Sequence, residues 1–131
     1  MKYKIVGLCL LWMLSACSSS DEAWLPKAKQ WEEFSVHFET RPENLRSGMN
    51  EFLILVDRQG KRHIPDLLVN IHINQDKIQQ AMPDGALGVY RRALYVHDIH
   101  KDRLHVILSY HGKVGELDFP LEPDVQSTPA H

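Results

Sequence analysis

The side chains of this sequence that could do chemistry are mainly histidines and methionines. The chain of 131 residues has eight histidines, four methionines and two cysteines. His97 and His100 stand close together in the segment HDIH, separated by Asp98 and Ile99. Imidazole nitrogen suits copper, and thioether sulfur is a soft donor that favours Cu(I). His97 and His100, together with Met49 and Met82, therefore form the candidate copper site of this sequence, provided that the fold brings them together.

Each of these residue types also has an ordinary structural explanation. Methionine often fills irregular gaps at the edge of a core, and a histidine pair spaced as HxxH is a weak signal outside a helix. His37, His72 and His105 fall at outward positions of predicted strands, where a half-polar ring is unremarkable. Glu116 and Asp118 are expected to be ordinary exposed acids.

The sequence lacks the common signatures of catalysis. It contains no G-x-S-x-G segment for an activated serine and no glycine-rich loop suited to a phosphate. A domain of this size also has little room for a deep pocket lined with polar groups. We therefore predict a protein that is not an enzyme.

The segment LSAC near the start of the chain predicts where the protein resides. Two lysines precede about ten apolar residues, which are too few to span a bilayer and suit the h-region of a secretory signal. Ser15 and Ala16 supply the small side chains that a signal peptidase needs, and Cys17 supplies a thiol. This segment resembles a bacterial lipobox, which implies a signal peptide over residues 1–16 and a lipid on Cys17. The alternative is a buried N-terminal helix with a chance cysteine.

The resemblance to bacterial lipoproteins also implies a membrane for the anchor. Cys17 would carry a diacylglyceryl group and an acylated amine, and two or more chains make a stable anchor. Ser18 follows the cysteine, a pattern that in lipoproteins of enteric bacteria favours the outer membrane, facing the periplasm. The inner membrane is the alternative.

Cysteine and charge counts narrow the chemistry of the mature chain. Cys9 leaves with the signal and Cys17 is lipidated, so no thiol remains for a disulfide, a metal or a nucleophile. Lys2 and Lys4 also leave, which takes the 15 basic residues to 13 against 17 acidic ones. The mature chain is therefore acidic, which argues against a nucleic-acid partner because such a partner needs a clustered basic face.

The elements that must position these residues are predicted to be β-strands. FSVHFET, EFLILVD, LLVNIHIN, VYRRALYV, DRLHVILSY and KVGELDFPLE are strand-like runs, several with apolar residues at every second position. His111–Gly112 predicts a tight hairpin between the last two. The segment QDKIQQAMPDGALG is predicted to be a loop with room for a short strand, and a helical turn over residues 75–82 is the alternative. We expect a flexible linker over residues 17–31, one domain over 32–122 and a disordered tail over 123–131. The fold class is an all-β, antiparallel immunoglobulin-like β-sandwich of six or seven strands, with a small barrel as the alternative.

Three segments in this order resemble a known bacterial family. They are NEFLILVDRQGKRH, MPDGALGVYRRAL and LHVILSYHGKVGELDFPL. Together they resemble the YtkA-like domain, related to the FixH family of envelope proteins, over roughly Phe34 to Leu121. The resemblance implies a small, immunoglobulin-like, non-enzymatic domain, and some members occur near copper handling or respiratory oxidase assembly.

The predicted topology connects the candidate copper ligands. In immunoglobulin-like strand order, the A–B, C–D and E–F connections share one end of the sandwich, and they hold Met49, Met82, and the pair His97 and His100 respectively. The leading functional hypothesis is a membrane-anchored, non-enzymatic accessory module that contacts another envelope protein through a sheet face or an edge strand. The alternative is a copper-binding periplasmic lipoprotein in metal handling or oxidase assembly.

Overall fold

The computed structural model describes residues 24–85 and 88–123, which form nine β-strands. The predicted signal peptide, Cys17 and the tail after Pro123 lie outside the described residues. No helix able to cross a membrane occurs in the described part of the chain. The strands are β1 Lys29–Trp31, β2 Phe34–Arg41, β3 Gly48–Arg58, β4 Leu68–Ile73, β5 Gln79–Gln80, β6 Met82–Pro83, β7 Val89–Val96, β8 Arg103–Tyr110 and β9 Lys113–Pro120.

The strands form two antiparallel sheets packed face to face. Sheet A has the order β1-β2-β3-β7-β6, and sheet B has the order β5-β4-β8-β9. Without β1 and β5, this arrangement corresponds to the ABED and CFG sheets of an immunoglobulin-like sandwich. The predicted fold class is therefore confirmed, and the strand count exceeds six or seven because three of the strands have only two or three residues.

The alternation of apolar residues creates the core between the sheets. Every second residue of β2 from Phe34 is buried, and the same holds for β4 from Val69 and for β8 from Leu104 to Leu108. Phe34, Phe52 and Phe119 are among the largest fully buried side chains: Phe119 packs edge-on against Phe38, and Phe34 edge-on against Tyr110. Burying a side chain of this size stabilises the fold by roughly 1.5–3 kcal/mol.

Turn residues connect the strands as predicted. His111 and Gly112 have φ angles of 48° and 80°, the left-handed pair that a type I′ hairpin requires, and they join β8 directly to β9. In the turn after β3, the carboxylate of Asp57 accepts a hydrogen bond of 2.6 Å from Gly60 N. The short connections fix the pairing of the strands on either side.

The chain changes sheets between β5 and β6. β5 pairs with β4 of sheet B, whereas β6 pairs with β7 of sheet A. Ala81 lies between them, buried, and its N–H donates to the carbonyl of Val69 at 2.8 Å. The expected loop therefore contains two strands that close one side of the sandwich.

The structure differs from the predicted linker boundary at β1. The sequence predicts that the domain starts at residue 32, but Lys29–Trp31 already pairs with β2. Trp31 stacks on Phe34 with ring centroids 5.6 Å apart, and it packs over Gly115 of β9 so closely that no Cβ would fit there. Lys29 Nζ donates to the carbonyl of Asp118, also on β9. These contacts explain why the end of the expected linker is ordered and covers the outer edge of sheet B.

The chain enters and leaves the described domain at the same end. Trp24 and Pro123, the first and last described residues, line one depression together with Leu45 and Leu121. The β2–β3 and β7–β8 connections lie at this end as well, because antiparallel neighbours turn there. We call it the terminal end of the sandwich.

Candidate functional site

Met49 and Met82, two of the predicted copper ligands, line one open groove on the outer face of sheet A. Met49 lies opposite Tyr95 in the pairing of β3 with β7, and Met82 lies opposite Arg91 in the pairing of β6 with β7. Met49, Met82 and Tyr95 are 55%, 55% and 52% exposed. The groove, which we call the β7 groove, has a volume of about 640 Å³ and is also lined by Glu51, Gln79, Arg91, Arg92 and Ala93. Clustered exposed apolar side chains of this kind mark interaction surfaces.

The β7 groove runs beside a strand edge without a pairing partner in the described chain. Asp84 N donates to Val89 O at 3.0 Å, so Val89 turns its backbone groups toward the β6 side. Backbone direction alternates along an antiparallel strand, and therefore Ala93 and Tyr95 direct their N–H and C=O groups to the same side. β6 reaches only as far as Arg91. Within residues 24–85 and 88–123, Ala93 and Tyr95 thus have no strand to pair with on this side.

The two arginines of the β7 groove already form ion pairs or hydrogen bonds with neighbouring side chains. Arg91 lies 3.2 Å from a carboxylate oxygen of Glu51 and 3.2 Å from one of Asp84. Arg92 donates two hydrogen bonds to the side-chain oxygen of Gln79, at 2.9 and 2.7 Å. The surface available to a ligand in the β7 groove therefore consists mainly of apolar side chains and of the unpaired N–H and C=O groups of Ala93 and Tyr95.

His97 lies at the end of the β7 groove. Its ring packs edge-on against Tyr95, with centroids 4.9 Å apart, and its Nε2 lies 3.1 Å from a carboxylate oxygen of Asp76. The side chain is 56% exposed. The ring is therefore within reach of the groove but directed to an acid of the β4–β5 connection.

His100 lies apart from the β7 groove. Its Nδ1 is 2.6 Å from a carboxylate oxygen of Glu122, and it lines a small depression with residues that follow β9. The side chain is 70% exposed. The structure thus brings Met49 and Met82 to one groove, places His97 at its end, and turns His100 toward a different acid. The four-ligand copper site stays a prediction.

A second cluster, on the outer face of sheet B, contains His72, His105 and Glu116. His72 and His105 are directly opposite each other on β4 and β8, and their rings stack with centroids 4.6 Å apart and planes 7° apart. Glu116 reaches them from β9: its Oε1 is 3.0 Å from His105 Nδ1 and 3.9 Å from His72 Nε2. One possible ligand atom from each residue lies within 4.8 Å of the others. We call this the sheet-B cluster.

Backbone contacts fix the proton on His72. Its Nδ1 is 2.7 Å from the carbonyl oxygen of Asn74. A carbonyl only accepts hydrogen bonds, so Nδ1 is the donor and carries the proton. In the neutral ring, Nε2 therefore holds a free electron pair, and this is the nitrogen that faces Glu116. The side chain of His72 is 12% exposed and that of His105 is 21% exposed, so sheet B holds both rings firmly.

Asp118, the acid next to the sheet-B cluster, forms an ion pair with Arg103. Asp118 is opposite His105 in the strand pairing, but its Oδ1 lies 2.6 Å from Arg103 Nε. Asp118 thus neutralises Arg103, whereas Glu116, 53% exposed, is directed to the two imidazoles. The cluster therefore consists of two nitrogen donors and one carboxylate.

A buried carboxylate supports the loop that carries His97 and His100. Asp102 is 6% exposed and accepts hydrogen bonds from the backbone N–H of His97 at 2.7 Å, from that of Asp98 at 3.0 Å, and from the Asn74 side chain at 2.9 Å. Burial raises the pKa of Asp102, but these hydrogen bonds, with the nearby His97 charge, outweigh burial and hold the pKa below its usual value. Asp102 is therefore charged in the folded protein at neutral pH.

Comparisons with protein-family models, with curated proteins and with solved structures gave no match. The resemblance to the YtkA-like domain stays a prediction. What can be said about function rests on the side chains of the two outer faces.

The sequence does not predict the sheet-B cluster, because the pattern of one strand does not specify which residues of the neighbouring strands lie beside it. Outward alternation predicted that His72 and His105 lie on a sheet surface, which is confirmed, and Glu116 was expected to be an ordinary exposed acid. Core packing sets the pairing of β4 with β8 that places the histidines opposite each other. The His111–Gly112 hairpin sets the pairing of β8 with β9, which places Asp118 opposite His105 and Glu116 at the next outward position. The hairpin is therefore an available signal that an acid of β9 lies beside His105.

Proposed function

We propose that this protein is a membrane-anchored, non-enzymatic accessory module of the bacterial envelope that binds an extended segment of another envelope protein. The observation that carries the proposal is the β7 groove, where Met49, Met82 and Tyr95 are exposed beside the unpaired edge at Ala93 and Tyr95. An extended peptide can add a strand to such an edge and place alternate side chains on the adjoining apolar surface.

The anchor follows from the lipobox. Lipidation of Cys17 would attach the domain to the outer membrane, on the periplasmic side, with the inner membrane as the alternative. The absence of catalytic sequence signatures supports a binding role. The β7 groove and the sheet-B cluster both lie on open outer faces of the sandwich. A face of this kind suits association better than catalysis, which generally uses a concave pocket.

The edge geometry supports strand addition at Ala93. The N–H of Ala93 points away from β3, so a proline here removes a donor from the free edge and none from the ladder within sheet A. Ala93→Pro should therefore abolish partner binding while the domain stays folded. Ala93→Ser keeps the N–H and is the matched control.

Photo-crosslinking in living cells would test this proposal. A photoreactive amino acid in place of Met49, in the full-length protein, should give a discrete cross-linked product. We expect Ala93→Pro to reduce that product at least about tenfold, as expected when the backbone hydrogen bonds of an added strand are lost, and Ala93→Ser to leave it unchanged. A photoreactive residue at Val114, which is 69% exposed on β9, should not give the product. Equal products from Ala93→Pro and Ala93→Ser, with both variants folded, would overturn the proposal.

A further inference from the structure

We infer that His72, His105 and Glu116 bind a divalent transition-metal ion such as Zn²⁺ or Cu²⁺ on the outer face of sheet B. This site is separate from the β7 groove and from the predicted copper ligands. In the described part of the chain it is the only group of three histidine, cysteine, aspartate or glutamate side chains whose ligand atoms lie this close together.

The donor set matches this class of ion. Two imidazole nitrogens and one carboxylate oxygen are established ligands of Zn²⁺, and imidazole also suits Cu²⁺. The cluster lacks thiolate and thioether donors, which Cu(I) prefers, because Met49 and Met82 lie on the opposite sheet. Three protein ligands leave a further position for water or another small donor, as in open zinc sites.

The arrangement of His72 is already that of a metal ligand. Histidines that bind metals generally donate their other ring N–H to a carbonyl or carboxylate, which fixes the ring and the protonation state. His72 does this through Nδ1 and the carbonyl of Asn74, at 2.7 Å. Asn74 is held in turn, because its side chain accepts from Arg103 N at 2.9 Å and donates to Asp102 at 2.9 Å. The free nitrogen of His72 is thus presented to Glu116 and His105 by a hydrogen-bonded support.

The contact between His105 and Glu116 is the one that a metal would replace. Its length of 3.0 Å indicates a hydrogen bond from His105 Nδ1 to the carboxylate. A divalent ion bound to His105 Nδ1 and to Glu116 would take the place of this proton between the same two groups, and in the neutral ring the proton would move to His105 Nε2. Metal binding should therefore change the tautomer of His105.

The other histidines with acidic neighbours, such as His97 and His100, have weaker arrangements. His97 contacts Asp76 alone and His100 contacts Glu122 alone, and both rings are more than half exposed on the terminal end of the sandwich. Each pair provides two donors rather than three. A double His97→Ala, His100→Ala variant is therefore a matched control, since it removes as many imidazoles as the sheet-B cluster contains.

The test uses the full-length protein, purified in detergent without a histidine tag. Zn²⁺ and Cu²⁺ would be titrated in competition with a chromophoric chelator. We expect one ion per chain, with affinity reduced at least about tenfold by His105→Gln and by Glu116→Gln, the scale seen when a metal site loses a supporting contact. The double His97→Ala, His100→Ala variant should bind Zn²⁺ within about twofold of the original protein, because both side chains are exposed and lie outside the sheet-B cluster. Zn²⁺ is the ion for this comparison, since His97 and His100 are predicted copper ligands. Glu116 is exposed, so Glu116→Gln tests the site without disturbing the core.

Long-range ¹H–¹⁵N spectra of the histidine rings provide a second readout. The metal-free protein should show His72 protonated at Nδ1, and Zn²⁺ should shift its Nε2 resonance. Affinity lost in the His97→Ala, His100→Ala variant but kept in Glu116→Gln would overturn the inference. So would the absence of saturable one-to-one binding, or equal binding by every variant.

Discussion

The two histidine pairs of this protein differ in a way that sequence distance does not suggest. His72 and His105 lie on separate strands far apart in the chain, yet their rings stack and share one carboxylate. His97 and His100 lie in one short loop, yet their rings contact different acids. The difference shows that strand pairing can bring distant side chains together, because the ladder of hydrogen bonds fixes the direction of each side chain. A loop can direct neighbouring side chains to different partners.

The two pairs meet at Asn74. Its carbonyl accepts a hydrogen bond from His72 Nδ1, while its side chain donates to Asp102, which supports the loop of His97 and His100. Sheet B positions His72 and His105, which we call the strand pair. The buried carboxylate of Asp102 supports the loop of His97 and His100, which we call the loop pair. This comparison can be tested by disturbing the support of each pair separately.

Removing the carboxylate of Asp102 should have the largest effect. Asp102→Ala leaves the N–H groups of His97 and Asp98 and the Asn74 amide without their partner, which should lower the free energy of unfolding by about 2–4 kcal/mol. Urea denaturation would measure this loss. Asp98→Ala, which removes a more exposed hydrogen bond to His100 N, should cost less than about 1 kcal/mol.

Histidine spectra of the Asp102→Ala variant would sharpen the comparison. The resonances of His97 and His100 should move, whereas His72 should keep its proton on Nδ1 because β4 and β8 remain paired. A changed protonation pattern at His72 would contradict this expectation and would show that the contact between Asn74 and Asp102 is needed to hold His72.

A side chain at position 115 should instead disturb β9, the strand that carries the carboxylate shared by His72 and His105. A Cβ at Gly115 has no room beneath the indole of Trp31, which is itself stacked on Phe34. Gly115→Ala should therefore displace either Trp31 or β9 and lower the free energy of unfolding by about 1–3 kcal/mol, as is typical of overpacking. The indole N–H resonance of Trp31 would report the displacement. Metal affinity should fall only if β9 moves, since β9 carries Glu116, and the spectra of His97 and His100 should not change.

The smallest expected effect is a pH dependence that belongs to the loop pair. The pKa of Asp102 is lower in the folded protein than the usual aspartate value of about 4. Its charged form therefore stabilises the fold fully above about pH 4, and this contribution is lost as the pH falls through the folded-state value. Urea titrations between pH 7 and acid should show a smaller loss of stability below about pH 4 in Asp102→Asn than in the original protein. Equal slopes for the two proteins would contradict the assignment.

The sequence predicted the elements better than the contacts between them. Apolar alternation identified the long strands and the buried positions, including Val69 and Leu104, because one face of each strand must leave water. The hairpin at His111–Gly112 was predictable because its backbone conformation limits the residue choice. β1 was not predicted, since only the packing of Trp31 on Phe34 and Gly115 makes this segment ordered.

The candidate sites were less predictable for a physical reason. The predicted strand order was correct, and it was enough to place His97 and His100 at the terminal end. The acids that their rings contact lie elsewhere in the chain: Asp76 between β4 and β5, and Glu122 after β9. The stacking of His72 on His105 depends on the pairing of β4 with β8 residue by residue. A shift of one residue would turn one ring to the other face of the sheet, and the alternation pattern of a single strand does not specify its alignment with its neighbour.

The shared position of Trp24 and Pro123 has a consequence for how the domain stands on a surface. The proposed lipid on Cys17 would attach the domain to the membrane at its terminal end, where Trp24 lies. The two broad faces of the sandwich would then be directed to the sides, away from the lipid surface. A strand added along β7 would approach laterally, and an ion on the opposite face would stay open to the surrounding fluid, so that neither ligand need block the other.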